Sequence, residues 1–276
     1  MIGNASYVLV PILLAALGGL MSERAGVLNI GLEGLMLLGA FGGVVGTTFS
    51  GSLVIGLVTG ALFSSLLALI YSVACLELRS NIFIAGLGVN LLAVGLIPYL
   101  SRLLFNTGGN IRIPDAPSFP TWLGIPITMY AAVLITGLIH VVLNHTRLGI
   151  RIRAVGENES ILASRGLRPR RYQRIAIILS GVLAGLAGAE MALRLGVYVP
   201  RMSGNRGWIA LVAVFLGTRR PFGVLAAATL FAVLEALSGA AQGADNFSGT
   251  LLLALPYALT LVGIVIYSAL ARRRVE

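Results

Sequence analysis

Long apolar runs dominate the chain and constrain its fold more than any other feature. A helix of about 20 apolar residues crosses the hydrocarbon core of a bilayer, which is roughly 30 Å thick. Nine runs fall near residues 6–21, 27–49, 52–76, 83–105, 121–144, 174–195, 207–218, 222–242 and 250–270. Only 11% of the residues are charged, far fewer than the surface of a soluble domain needs.

The sequence therefore predicts an all-α polytopic membrane protein, built as a single transmembrane domain over residues 1–276. We expect about nine membrane-spanning helices, within a range of 8–10 because some of the apolar runs are short. The first and seventh runs are short, so we expect them to be tilted, broken or re-entrant.

The basic residues predict how the chain is oriented in the membrane. All 20 are arginines, set against 10 acidic residues, and they cluster between apolar runs. Eight lie in or beside a loop at 145–173, and three more lie in the tail "ARRRVE". Arginine-rich loops stay on the cytoplasmic side, so the sequence predicts an outer N-terminus and a cytoplasmic C-terminus. This distribution explains the net charge of +10 without a nucleic-acid partner. Arg194, Arg201 and Arg206 fall on the outer side and fit this scheme least well.

Several catalytic and cofactor motifs are missing from the sequence. Without lysine there is no Walker A phosphate loop, so this chain is not itself a P-loop ATPase. His140 and His145 have a poor spacing for a shared metal, and Cys75 is the single cysteine. No serine lies in a Gly-x-Ser-x-Gly motif. We expect no catalytic residue, no bound metal and no cofactor in this chain.

Polar side chains within the apolar runs are candidates for function, because burying them in lipid is costly. If the second run is helical, Asn29 and Glu33 lie on one face, one turn apart. They either clamp a neighbouring helix or a broken backbone segment, or line a substrate path. Asn90 has the same two interpretations, whereas Glu235 favours structural pairing. Trp208 favours an interfacial position, with substrate contact as the alternative.

The loop at 145–173 has the pattern of a short helix lying along the membrane surface. Glu157 and Glu159 would occupy the first turn of a helix near 157–165, where the helix dipole favours acids. Gly166 would end it, with Pro169 beyond. On its own, this pattern also fits an ordinary positive loop.

The order of motifs in this loop resembles the cytoplasmic loop of ABC importer permeases. The resemblance is to the branched-chain amino acid, ribose and nucleoside permease family. It is carried by Gly149, Arg153, Ala154, Gly156, Asn158, Gly166-Leu167, Ser180-Gly181 and "AGLAG" at 184–188. The segment "ESILAS" at 159–164 departs from the family pattern. The blocks at 22–41 and 204–237 are similar to the nucleoside branch, above all to bacterial purine-nucleoside importers.

This resemblance implies a permease subunit in the bacterial cell membrane that carries nucleosides or related ribosides inward. It also implies ATPase subunits that hold ATP and Mg²⁺, a second homologous permease, and an extracellular or periplasmic binding protein. The loop would dock on the ATPase, and its coupling candidates are Arg153, Gly156, Glu157, Asn158 and Gly166. The loop at 106–120, with Arg112 and Asp115, is either a docking surface for the binding protein or an ordinary solvated loop.

Three other interpretations remain open from the residues alone. The same machinery could carry a simple sugar, an amino acid or a vitamin. An ion-coupled transporter acting alone would need Glu33 or Glu235 as its titrating group. An intramembrane enzyme is the weakest of the three, because no nucleophile with its base is present.

Overall fold

A computed structural model describes residues 2–114 and 116–241, and within them the chain is almost entirely helical. Asp115 and the predicted run at 250–270 lie outside the described residues. The helices are α1 (Ile2–Arg24), α2 (Leu32–Ser50), α3 (Leu53–Ser72), α4 (Ile82–Phe105), α5 (Ile127–His145), α6 (Arg147–Glu157), α7 (Glu159–Ala163), α8 (Pro169–Leu195), α9 (Arg206–Leu216) and α10 (Pro221–Ala241). A π-helical turn, Val73–Glu77, continues α3.

Four very short strands form two antiparallel pairs at one end of the bundle. They are β1 (Ile111–Arg112), β2 (Thr121–Trp122), β3 (Ile125–Pro126) and β4 (Val197–Tyr198). β1 pairs with β4, and β2 pairs with β3. The opposite end of the bundle holds α6 and α7 and is called the α6 end below.

Seven helices in the described part of the chain are long and apolar enough to cross a membrane. The predicted all-α polytopic fold is confirmed. The expectation of a short first crossing is wrong: α1 has 23 residues and passes through Pro11 without ending. Its apolar side chains are buried nearly all round, so neighbouring helices stabilise it. The seventh run is short, as predicted, because α9 has 11 residues and spans only about 16 Å.

Close helix contacts through glycine build the centre of the bundle. α8 packs between α2 and α3, with Gly181 and Gly185 against α3 and Gly188 against α2. A Cβ atom on Gly188 would lie 1.9 Å from the Met36 carbonyl oxygen, so only glycine permits this approach. Lipid provides no hydrophobic driving force between helices, so small residues stabilise their association by allowing close packing. The glycines of α8 therefore allow close packing on both of its neighbours.

The chain between β4 and α10 crosses the bundle first as irregular backbone and then as a helix. Tyr198 packs edge-on against Phe41, halfway along α2, with the ring centroids 5.9 Å apart. Irregular backbone then runs along α2 to Glu33, eight residues or about 12 Å closer to the α6 end. From there α9 continues to the α6 end. Half a helix and half a loop thus replace one full transmembrane helix.

Candidate functional site

A short non-helical link, residues 25–31, joins α1 to α2 and forms the middle of the candidate site. Two turns open the link, with Ala25 and Val27 both donating to the Ser22 carbonyl. Gly26 adopts a φ of 78°, which L-residues rarely tolerate and which ends α1. Lipid offers no hydrogen bonds, so non-helical backbone at membrane depth needs partners within the protein.

Side chains from two neighbouring helices satisfy the backbone of the link. The Tyr71 hydroxyl of α3 donates to the Leu28 carbonyl oxygen at 2.7 Å. The Asn90 amide of α4 donates to the Ile30 carbonyl at 3.1 Å and accepts from the Gly34 N–H at 2.8 Å. Asn90 therefore braces the link with both ends of its amide. It is half-buried, so one side of it remains open to a neighbour outside this chain.

Asn29 lies inside the link and is fully buried. Its amide nitrogen donates to the Ser180 hydroxyl of α8 at 2.9 Å, and its amide oxygen accepts from the Gly31 N–H. The expectation that Asn29 and Glu33 share a face of one helix is wrong, because α2 begins only at Leu32. The left-handed turn at Gly26 delays the start of the helix past Asn29.

Glu33 lies in the first turn of α2 and holds the start of α9. Its carboxylate accepts from the Asn205 N–H at 3.0 Å, from the Gly207 N–H at 2.8 Å and from the Ser203 hydroxyl. The first N–H groups of a helix have no partner within the helix, and an acid there also suits the helix dipole. Glu33 therefore caps α9 from a different helix, at the depth where loop changes to helix.

Trp208 lies in the first turn of α9, beside this cap. It is 40% exposed, and Asn205 next to it is exposed as well. The sequence favoured an interfacial position for Trp208, with substrate contact as the alternative. In the structure, the turn of α9 that carries Trp208 starts against Glu33 of α2. Glu33, Asn90, Asn205 and Trp208 thus lie around the start of α2 and none of them is fully buried, and this group is called the polar side of the bundle below.

Two ion pairs neutralise charges that the apolar runs carry. Arg206 pairs with Glu235 of α10 at 2.5 Å, so the expected structural pairing of Glu235 is present. Glu190 and Arg194 pair one turn apart on α8, as expected, and both side chains are nearly fully buried. Thr128 of α5 donates to Glu190, which ties α5 to α8. These pairs account for two of the arginines that fit the charge scheme poorly.

The coupling candidates form two helices at the α6 end rather than one. Arg153, Gly156 and Glu157 belong to α6, and Glu157 is its last residue. The short helix predicted near 157–165 is present as α7, but Glu157 does not lie in its first turn, because the extended Asn158 separates α6 from α7. Asn158 caps α7 by accepting from the Ser160 N–H at 2.9 Å.

Gly166 follows α7 with a φ of 72° and ends this part of the loop. Contacts from α8 fix the pair of helices in place. Gln173 donates to Glu159 at 2.7 Å, and Arg151 donates to the Tyr172 hydroxyl at 2.9 Å.

α6 contacts the link directly through two glycines. A Cβ atom on Gly156 would lie 2.2 Å from the Arg24 carbonyl oxygen and 2.9 Å from the Gly26 nitrogen. The backbones therefore touch where α6 crosses the end of α1. No side chain lies between the two backbones at this contact.

Two open spaces flank these elements. A cavity of about 190 Å³ lies between α2, α4 and residues 198–201, on the strand side of Glu33. A groove of about 860 Å³ runs beside α7 and the start of α8. The groove is strongly basic, and its charged lining residues are Glu159, Arg168, Arg170, Arg171 and Arg174. Among the described residues, no group of His, Cys, Asp or Glu could hold a metal ion.

Sequence reasoning missed Tyr71, Ser180 and Ser203, which hold the link and the cap. Tyr71 was detectable in principle, because a fully buried phenol in an apolar helix needs a partner for its hydroxyl. Ser180 and Ser203 carried no comparable signal, since serine is common in closely packed membrane helices.

A bundle of long apolar helices, a crossing broken at membrane depth and a helical pair at one end together define a multi-pass transporter permease. The sequence profile of the family described as "Branched-chain amino acid transport system / permease component" matches residues 1–270. The chain belongs to this family, and its named relatives include ABC transporter permease proteins.

Two relatives are named as ABC transporter permeases, and one solved structure shares the fold. The guanosine ABC transporter permease NupQ of Bacillus subtilis is 31% identical, covering 92% of this chain and 87% of NupQ. TsgC13 of Haloferax volcanii, provisionally named as a glucose ABC transporter permease, is 34% identical over 82% of this chain and 73% of its own length. PsaBC from Streptococcus pneumoniae, solved with a Fab, has a TM-score of 0.53 at 14% identity, covering 95% of this chain and 89% of that one. The PsaBC match supports the fold alone.

Proposed function

We propose that this chain is the membrane subunit of an ABC importer that moves nucleosides or related ribosides into the cytoplasm. Separate ATPase subunits bind ATP and Mg²⁺ and supply the energy. The chain binds no cofactor of its own. Its partners are the ATPase, a second homologous permease and an extracellular or periplasmic binding protein in a bacterial cell membrane.

The observation that carries this proposal is the polar side of the bundle at membrane depth. Glu33 and Asn90 are half-buried, and Asn205 and Trp208 are exposed. Lipid cannot satisfy such groups, so they face either water or a second protein subunit. A water-filled path between two permeases meets both requirements.

The groups on this side suit a neutral, hydrogen-bonding substrate. Amides and backbone groups can bond ribose hydroxyls and base edges, and the indole of Trp208 offers a face on which a base can stack. Glu33 is engaged by three donors, which favours a bracing role for its carboxylate. NupQ matches this chain over nearly its full length, which supports a nucleoside substrate. The name of TsgC13 supports a sugar as the second candidate.

The α6 end supplies the means of coupling to ATP hydrolysis. The basic groove beside α7 offers an ATPase a charged docking surface, and α6 contacts the link at Gly156. Pressure on α6 and α7 would therefore shift residues 25–31, which the polar side chains of the path hold. Several arginines lie at this end, which favours its placement in the cytoplasm, with the N-terminus outside.

Uptake into proteoliposomes tests the proposal. The chain is reconstituted with its ATPase, permease and binding-protein partners, and labelled guanosine and labelled glucose are compared. We expect ATP-dependent guanosine uptake that the Trp208→Ala variant reduces and the Trp122→Ala variant does not. Trp122 is a matched control, because it is exposed in β2 at the strand end. Uptake by the single chain under an ion gradient, without ATPase, would refute the ABC mechanism. Uptake of glucose alone would refute the substrate.

A further inference from the structure

A second open space at the α6 end is rich in positive charge and belongs neither to the polar path nor to the groove beside α7. It is a cavity of about 850 Å³ between the end of α5 and the start of α10. Its lining residues are Arg24, His140, Leu143, Asn144, His145, Arg153, Thr218, Arg220, Pro221, Phe222 and Gly223.

Among the described residues, those that line this cavity carry positive charge without an acid to balance it. Three arginines line it, and no lining residue is acidic. Arg24 experiences Arg153, Arg219 and Arg220 as like charges, and only Glu157 opposes them. The nearby Glu23 is already paired with Arg219, at 3.3 Å. Holding three guanidinium groups together is unfavourable unless an anion joins them.

The hydrogen-bond donors at this cavity include the start of a helix and a buried side-chain atom without a partner within the described part of the chain. The Nε atom of Arg153 is buried and makes no hydrogen bond there. α10 begins at Pro221, so the N–H groups of Phe222 and Gly223 lie in its first turn without intrahelical partners. The start of a 21-residue helix favours negative charge, and phosphate groups above all.

Exposed apolar side chains lie on both helices that bound the cavity. Phe222 of α10 lines it and is 54% exposed, and the same part of α5 exposes Leu138 (60%) and Val141 (49%), which lie outside the lining. The Phe222 ring contacts His140, with centroids 5.0 Å apart, so the two helices meet just below the charges. A ligand that combines an anionic head with hydrocarbon chains matches this arrangement.

We propose that this cavity binds the phosphate-bearing headgroup of an anionic phospholipid, whose acyl chains lie along α5 and α10. Arg24, Arg153 and Arg220 donate to the phosphate oxygens, together with the first N–H groups of α10. A bound lipid would join the coupling helix α6 to the start of α10 by neutralising charges from both. A free phosphate shares the headgroup chemistry, so the experiment must separate the two sources.

Native mass spectrometry of the purified full-length chain tests the proposal with phosphatidylglycerol, phosphatidylcholine and inorganic phosphate as probes. We expect phosphatidylglycerol to bind in preference to phosphatidylcholine, and inorganic phosphate not to displace it. The attraction of one arginine to an anionic lipid corresponds to about a fivefold change in affinity. Arg220→Gln should therefore weaken phosphatidylglycerol binding by about fivefold, and Arg220→Lys should restore most of it.

Arg147→Gln is the matched control, because Arg147 is exposed on α6 outside the cavity and loses the same charge. Equal binding by the Arg220→Gln and Arg147→Gln proteins would overturn the proposal. Displacement by inorganic phosphate would assign the site to a soluble anion and overturn the lipid. Loss of ATPase assembly with unchanged lipid binding would assign the surface to the ATPase instead. If Arg220→Gln does not yield a monodisperse protein, the wild-type preference decides, and equal binding of both lipids overturns the proposal.

Discussion

The contact between α6 and the link makes Gly156 the sharpest test of coupling. Replacing it with alanine adds one methyl group where the backbone of Arg24 already touches α6. The new Cβ atom would lie 2.2 Å from the Arg24 carbonyl oxygen, and 2.9 Å from both the Arg24 carbonyl carbon and the Gly26 nitrogen. All three neighbours are backbone atoms, so none can rotate away as a side chain would.

Relief of this clash requires α6 to move about 1 Å away from the link. Inserting a methyl group into a packed site costs about 1–3 kcal/mol. A coupling energy of that size corresponds to a change of roughly 5- to 150-fold. We therefore expect substrate-stimulated uptake to fall at least about fivefold, while basal ATP hydrolysis by the assembled ATPase and the yield of membrane-inserted protein stay near wild type.

The assay measures ATP hydrolysis and substrate uptake in the same proteoliposomes, and reports the ratio of the two. Gly137→Ala is the matched control, because Gly137 also lies in a helix but an added Cβ would have no neighbour within 4 Å. A Gly156→Ala protein that keeps the wild-type ratio would refute transmission through this contact. A loss in both variants would indicate a general defect in helix packing.

Three further predictions concern the polar groups at membrane depth. Glu33→Gln turns an amide donor toward the Gly207 N–H, so thermal unfolding in detergent should show a loss of about 1–3 kcal/mol in the free energy of unfolding. Lost uptake at unchanged stability would indicate substrate contact instead. Asn90→Leu leaves the Ile30 carbonyl of the link and the Gly34 N–H of α2 unpaired and should cost about 1–3 kcal/mol for each; unchanged thermal stability would contradict the bracing role. Arg206→Gln and Glu235→Gln each leave one charge unpaired, so each should lose more than half of the unfolding free energy that the double variant loses. Strict additivity of the two losses in a double-mutant cycle would argue against the ion pair.

Hydropathy predicts the long helices well, because bilayer thickness sets a length that few other structures need. It identified seven helices that the structure describes, and it marked α9 as unusual. Hydropathy alone failed for α1, because the apolar run at 6–21 is shorter than the 23-residue helix that contains it. Neighbouring helices bury this run on every side, which stabilises the helix as a whole.

The site was harder to predict than the fold, because its residues are brought together from separate helices. Asn29 and Glu33 were recognised as costly polar groups, but their partners Ser180 and Ser203 lie more than 150 residues away in the sequence. The break at the link depends on the left-handed conformation of Gly26, which the sequence does not distinguish from its other glycines, 35 in all. Sequence therefore identified which groups needed explanation, whereas only the structure showed what each one bonds.

The link at 25–31 is held by side chains from α3, α4 and α8, and its continuation into α2 caps α9. Tyr71, Asn90 and Ser180 each bond a different part of the link, so it cannot move without breaking or carrying these bonds. An unsatisfied polar group in the bilayer costs several kcal/mol, so the helices that bond the link are expected to move with it rather than lose these hydrogen bonds. A push from α6 at Gly156 would then move the helices around the polar side together. A single contact at the edge of the membrane can in this way change the width of a path halfway across it.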